Sequence, residues 1–311
     1  MNSQTSASKK AIRPATHAGS WYEDDSEVLS KEIQTYFEKA KQNNEKNELI
    51  NSKKLKAIIV PHAGYIYSGE TAACAFIHID PSKYSRAVVL GPSHYAAFTN
   101  CAVTSYKQFE TPFGNLPIDT EAIELLVKSH PSLFHYASSA VDKEEHSIEI
   151  ELPFLKYIFE KNKINVSLIP IIVGFSDINS ITQIGSALNE LFKDDKTIFI
   201  ISSDFCHWGS NFDYLYYDST KGKIWESIQY YDLLGVELIK KMNVEEIEKY
   251  FDKYENTICG RYPIEILMKL GELNNIKDTN SIFRCEKYAQ SEKVLKKSGN
   301  SISYVGCVLY I

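Results

Sequence analysis

The chain has 311 residues, of which 44% are hydrophobic and 24% charged, an ordinary globular mix that can bury a large core and excludes the disordered and fibrous classes. A formal net charge of -6 offers no basic footprint for neutralising phosphates, so no nucleic-acid partner is expected. The longest apolar stretch, around Val166 to Phe175, is far short of a membrane span, the polar start from Met1 to Lys10 lacks a signal-peptide layout, and the six cysteines form no CxxC pair, so a cytoplasmic protein without membrane insertion is expected.

In chain order, the first predicted element is a helix from about Ser26, capped by Asp25, with Val28, Leu29, Ile33, Tyr36 and Phe37 at helical spacing. The Lys-, Asn- and Glu-rich run from Glu38 to Lys54 reads as a frayed helix end and loop. Four apolar, β-branched runs then stop abruptly at polar or glycine-bearing clusters. Ala57–Val60 meets Pro61-His62-Ala63-Gly64, Ala87–Leu90 meets Gly91-Pro92-Ser93-His94, Val166–Val173 ends at Gly174, and Thr197–Ile201 meets Ser202-Ser203-Asp204-Phe205-Cys206-His207. Continuous runs of this kind suit strands covered on both faces. Helices are predicted between them. Asp119 caps one carrying Ile123, Leu125 and Leu126; Ile181, Ile184, Leu188 and Leu191 mark the face of another; Asn243 and Glu246 form a capping box for a third. The stretch Ser281–Ala289 is expected to pair with Ile302–Ile311. The reading is one α/β domain over residues 1–311, with 1–12 flexible and a central, mostly parallel or mixed sheet flanked by helices.

In open α/β sheets, ligands bind outside the carboxyl ends of the strands, so histidines placed just beyond three strands can converge in one crevice. His62 and His94 occupy equivalent strand-then-turn positions, and neutral imidazole is a common ligand for zinc, copper and iron. The bland alternative is a turn histidine bonded to backbone. Asp204 and His207 lie three apart after a buried strand; His207 suits proton transfer, and Asp204 suits support of the site or ligation, against a simple helix cap with a packed Trp208. Glu144 and Glu145 are explained by a helix dipole, in a helix interrupted near Pro153, but His146 is not, and it stands as a further candidate. Cys259 precedes a helix with Pro263 suited to its first position. A thiol there, near Arg261, is expected to have a depressed pKa, the alternative being a buried structural cysteine.

Six segments then coincide in order: Arg13–Tyr22, Pro61–Tyr67, Gly91–His94, Glu145–Glu149, Ser202–Gly209 and Ile258–Arg261. Together they resemble the Memo family. The resemblance implies a fold like that of the class III non-haem iron extradiol dioxygenases, with His62 and His94 matching their two histidine ligands, Cys259 in the third place and His207 matching a catalytic acid/base. Thiolate is a softer donor than carboxylate, favouring copper(I) or zinc, so the implied cofactor is iron(II) or copper used for redox rather than ring cleavage, with zinc as a further option. It also implies a signalling role in cell motility, with phosphotyrosine peptides docking in the same pocket against Trp21 and Tyr67. Two functions therefore stand side by side. One is a redox metal site acting on a small-molecule substrate, with His207, Asp204 and His146 handling protons; the other is a peptide-binding module. The Tyr-rich segment Asn211 to Asp232 is expected to be a loop, either covering the pocket or solvated.

Overall fold

The computed structural model describes residues 10–43, 53–277 and 280–311. In chain order the elements are β1 (Lys10–Arg13), α1 (Ser26–Asn43), β2 (Leu55–Val60), α2 (Tyr65–Phe76), β3 (Arg86–Pro92), β4 (Cys101–Val103), β5 (Tyr106–Phe109) and β6 (Leu116–Pro117). There follow α3 (Thr120–Ser129), β7 (Phe134–Tyr136), α4 (Ser139–Glu144), α5 (His146–Glu149), α6 (Leu152–Lys161), β8 (Ser167–Val173), α7 (Ile178–Lys193) and β9 (Thr197–Ser202). The chain closes with β10 (His207–Trp208), α8 (Ile224–Lys240), α9 (Val244–Tyr254), α10 (Arg261–Leu273), β11 (Ile282–Gln290) and β12 (Ser301–Tyr310).

The four apolar runs form the centre of a nine-stranded mixed sheet, in the order β2-β9-β3-β8, all parallel. Antiparallel neighbours finish both sides, β4 against β8 and β12 against β2, with β10 and β11 both pairing with β12. Every residue of β2 and β9 is buried. That requires cover on both faces, which explains why these runs are continuously apolar rather than alternating. Helix α2 packs on β2 and β12, whereas α7 and α10 pack together against β9 and β3. A single large hydrophobic cluster runs through the sheet and these helices, as an α/β domain of this kind requires. A smaller second sheet, β1-β5-β6, meets the first beside β8, where the Asp119 amide donates to the Leu168 carbonyl at 2.9 Å.

Several local expectations hold atom by atom. Asp25 Oδ1 accepts the amides of Glu27 and Val28 at 2.9 Å, Asp119 accepts that of Ala122, and β11 pairs with β12 in antiparallel register. Others need correction. Leu125 is 65% exposed, because the buried stripe of α3 is narrow and runs through Ile123 and Leu126. Asn243 caps α9 through the Glu246 amide, but the Glu246 carboxylate turns to Lys241 at 2.8 Å. Pro153 does not interrupt a helix; it sits in the first turn of α6, where a missing N–H costs nothing, and the breaks fall at Glu145 and at Ile150–Glu151. Pro263 is the third residue of α10 rather than the first. Residues 10–12, expected to be flexible, pair with β5 as part of β1. The run from Glu38 continues as helix to Asn43, and residues 44–52 lie outside the described residues, as do 1–9. Within Asn211 to Asp232 the stretch from Ile224 onward belongs to helix α8, and Tyr214, Ile224 and Ile228 pack with Trp208 in a small separate core.

Candidate metal centre

Strand order decides what meets what. Because β9 lies between β2 and β3 and all three run parallel, their carboxyl ends open side by side, and the residues just beyond them share one crevice. His62 follows β2, His94 follows β3, and Asp204 and His207 follow β9. A fourth histidine enters from α5. Ser147 of that helix donates to the Pro92 carbonyl at 2.7 Å, and the helix lies so close to Gly91 that a Cβ there would stand 2.5 Å from Ser147 Oγ. The glycine thus lets α5 press onto the end of β3 and sets His146 beside His94, with ring centroids 4.5 Å apart and planes inclined by 27°. Donor atoms of His62, His94 and His146 all lie within 4.8 Å of one another, and Cys259 Sγ is 3.2 Å from His62 Nε2.

Each ring is set by its other nitrogen. Burial holds the Glu151 carboxyl well above its ordinary range, and its Oε1 lies 2.9 Å from Ser202 Oγ. The Ser202 hydroxyl donates to the Ser147 carbonyl at 2.6 Å, which leaves an oxygen lone pair for His62 Nδ1–H at 2.7 Å. His62 Nε2 therefore carries the lone pair and faces the thiol. Glu145 acts on His94 in the same manner. Its carboxylate accepts His94 Nδ1–H at 3.1 Å together with the amides of His94, Tyr95 and Ser147. Burial alone would raise the Glu145 pKa, yet the His94 ring and these amides outweigh it and hold the group at about 2. Burial lowers the pKa of His62, His146 and His207, His146 to about 4, with neighbouring imidazoles adding to the effect, so these three present neutral rings.

His207 Nδ1–H points at the carbonyls of Phe205 (2.9 Å) and Thr257 (3.1 Å), leaving Nε2 as an acceptor, and the Phe212 ring stands edge-on at 5.2 Å. Asp204 reaches backbone rather than the cluster. Its Oδ1 accepts the amides of His62 at 2.9 Å and Ala63 at 3.3 Å, fixing the turn after β2, and burial raises its pKa to about 7. For Cys259 the expected depressed pKa is corrected: burial, with Asp204 nearby, pushes the thiol well up. The guanidinium thought to favour the thiolate is engaged elsewhere, as Arg261 pairs with Glu248 at 2.5 Å and Glu265 at 2.8 Å. Trp21 lies 4.5 Å from the His146 ring, and with Tyr67 it lines a groove of about 540 Å³ beside the cluster, shared with Gly64, Ile66 and Tyr304.

The donor set fits a first-row ion. Sulfur and nitrogen arms of ~2.3 and ~2.0 Å span about 3.1–3.6 Å, which the 3.2 Å Cys259–His62 separation already matches. At the same bond angles, imidazole nitrogens bound at ~2.0–2.1 Å stand about 2.9–3.4 Å apart, so histidine donors at the 4.8 Å limit of the cluster have to close by about 1.4–1.9 Å. The supporting residues Ser202, Glu151 and Glu145 carry no local sequence signal of this role; a helix dipole accounts for Glu145 equally well, and only its place directly before His146 points elsewhere. Arg13 and His17 were also passed over, though both bind the buried Glu149 carboxylate, at 2.6 and 2.9 Å.

A cluster of imidazoles with one thiol, at the carboxyl ends of the parallel strands, defines this as an α/β protein with a histidine site able to hold a metal. The chain belongs to the Memo family, whose description, Memo-like protein, matches residues 13–308. It is 34% identical to Protein MEMO1 of Xenopus laevis over 305 residues, covering 98% of this chain and 99% of that one. Identity is 34% to Protein MEMO1 of Homo sapiens over 306 residues, with the same coverage, and 36% to MEMO1 family protein C4H3.04c of Schizosaccharomyces pombe over 315 residues, covering 95% and 98%. The crystal structure of an uncharacterized protein JW3007 from Escherichia coli K12 aligns with 81% of this chain and 99% of its own, at TM-score 0.49 and 12% identity. Among the described residues, no helix is long and apolar enough to cross a membrane.

Proposed function

We propose that the crevice is a redox metal site for iron(II) or copper, held by His62, His94 and Cys259, with His207 and His146 managing protons beside it. The observation that carries this reading is the orientation of the rings: His62 and His94 each commit Nδ1–H to a buried acceptor and so present Nε2 outward. The 3.2 Å contact between Cys259 and His62 supports the thiol as third donor, and a thiol among the donors favours copper(I). His146 is the other option for that place, but it stacks on His94 and lies against Trp21, which suits a wall and proton carrier. A bound ion of this type would supply electron transfer and polarise a bound oxygen atom. His207, locked as an Nδ1–H donor to two carbonyls, is ready to accept a proton at Nε2. Asp204 contributes by holding the His62 backbone.

Titrating metal-free protein with iron(II) and copper(I) under argon tests the proposal, alongside the His62→Ala/His94→Ala double variant, Cys259→Ser and His146→Ala. Tight binding is expected in the wild type, lost in the double variant, with copper(I) affinity reduced far more by Cys259→Ser than by His146→Ala. Binding that survives the double variant would sink the reading.

The groove beside the cluster supports a second reading, the capture of a peptide segment between Trp21 and Tyr67 by a signalling protein related to the MEMO1 proteins. Tyr67 and Ile66 are 62% and 82% exposed there, an apolar surface suited to a partner. The lining includes the Glu292 carboxylate and no Lys or Arg, so a phosphotyrosine finds no cation, which places this reading second. Calorimetry with phosphorylated and unphosphorylated forms of one peptide separates the two ideas.

A further inference from the structure

Three cysteines away from the histidine cluster gather at the other edge of β12. Cys285 of β11 and Cys307 of β12 are directly opposed in the antiparallel pair, both as free thiols, and Cys74 of α2 lies close to Cys285. Opposed residues in such a ladder have Cα atoms ~4.5–5.5 Å apart and side chains on one face. Disulfides take Cα separations of ~4.4–6.8 Å, so the backbone already holds this pair at bridging distance. The register shifts just beyond it, between Cys285 and Lys287, where Cys285 Sγ reaches the Lys287 carbonyl at 3.5 Å. Access is unequal: Cys307 is fully buried whereas Cys285 is partly exposed, so a small oxidant meets Cys285 first.

We propose that Cys285 and Cys307 are a redox modification site, closing to a reversible disulfide when the protein meets a small hydroperoxide, with Cys285 attacked first and Cys307 resolving. The Cys285 thiolate attacks one peroxide oxygen; an S–O bond forms, the O–O bond breaks, and the leaving hydroxide takes a proton to become water. The Cys307 sulfur then attacks the sulfenic acid; the S–S bond forms, the S–O bond breaks, and the second hydroxide leaves as water with the Cys307 proton. In sum, two thiols and one hydrogen peroxide give one disulfide and two waters, the sulfur pair losing two electrons and the peroxide gaining them. The environment matches this division of labour. A hydrogen bond from Cys307 holds the Cys285 thiol below its ordinary range, whereas burial pushes that of Cys307 well up. The proposal does not rest on the metal reading. It bears on the same strand, since β12 also pairs Cys307 with Ile59, three residues before His62, and Ile302 with His207.

The test uses the full chain, reduced and metal-free, treated with hydrogen peroxide, quenched by alkylation and mapped by mass spectrometry without reduction. Most molecules are expected to carry a Cys285–Cys307 linked peptide that dithiothreitol removes. In Cys307→Ala, dimedone should trap a sulfenic acid at Cys285; in Cys285→Ala, Cys307 should stay unmodified. Circular dichroism checks that both variants fold, and the wild-type map decides the matter if one does not. Linkage of Cys285 to Cys74 instead, or both thiols remaining alkylatable while other cysteines oxidise, overturns the proposal.

Discussion

Arg13 is the residue whose loss should cost most for its distance from the proposed donors. Its side chain is 1% exposed and gives Nε to the Asp142 carbonyl (2.7 Å), Nη1 to Glu149 (2.6 Å) and Nη2 to the carbonyls of Lys143 (3.0 Å) and Glu145 (3.1 Å). One guanidinium thus ties β1 to the segment that carries Glu145 and His146. Arg13→Ala removes the side-chain donor from the buried carbonyls of Asp142 and Glu145, leaves that of Lys143 with Thr16 Oγ1 at 2.6 Å, and strips the cation from Glu149. Breaking a buried pair from one side costs ~3–5 kcal/mol. Glu149 keeps Tyr22 Oη and His17, at 2.8 and 2.9 Å, which favours the lower end. With an unfolding entropy near ~2.1 cal/mol/K per residue, a chain of this length should lose about 5–8 °C in Tm. Thermal unfolding of metal-free protein at pH 7 measures it, and adding Glu149→Gln to both backgrounds isolates the coupling. A fall of less than about 1.5 °C, or a coupling near zero, would mean that the pair does not hold this segment.

The remaining predictions concern the groups behind the rings and the pH response. Glu145→Gln replaces an acceptor facing four N–H groups with an amide that must turn one donor inward, so metal affinity should fall ~10–100-fold; an unchanged isotherm would remove Glu145 from the site. Ser202→Ala leaves His62 Nδ1–H and the Glu151 acid without their shared partner and should cost ~1–3 kcal/mol in urea unfolding, where a neutral result would show that the rings are set some other way. Gly91→Ala pushes a Cβ to 2.5 Å from Ser147 Oγ and 2.9 Å from Ile148 Cδ1, so α5 must move off β3; a stable variant with wild-type metal affinity would break that link. Acid should unfold the protein in two stages. His146, lowered to about 4, stays neutral in the native state, so stability begins to fall as pH drops below the unfolded histidine value of ~6.5. Glu145 and Glu149 sit at about 2, so what they contribute is whole above the unfolded value of ~4.3 and is lost as pH falls toward 2. Unfolding free energies that stay flat from pH 7 to 3 would contradict both assignments.

What the sequence revealed and what it hid follow one physical division. Strands buried on both faces must be apolar throughout, and they must end where polar chemistry begins, so the strand boundaries and the placements of His62, His94 and His207 were legible as abrupt changes of composition. Strand order was hidden, and it is what turns three separate turns into one crevice, since β9 falls between β2 and β3. His146 could be noticed but not placed, because its position depends on how closely α5 approaches Gly91. The residues that orient the rings were the least legible. Ser202 reads as the last residue of an apolar strand, Glu151 as one acid among several, and Glu145 as an ordinary first-turn carboxylate. None carries a local pattern, because their roles are fixed by partners 51 to 140 positions away. The Cys259 thiol failed for the opposite reason. The helix end and the neighbouring arginine are both present, but the guanidinium pairs with two carboxylates rather than with the sulfur. A charge next in sequence is a weak guide to the field at a buried atom, and at this site the field is set by desolvation and by hydrogen bonds that only the packed sheet provides.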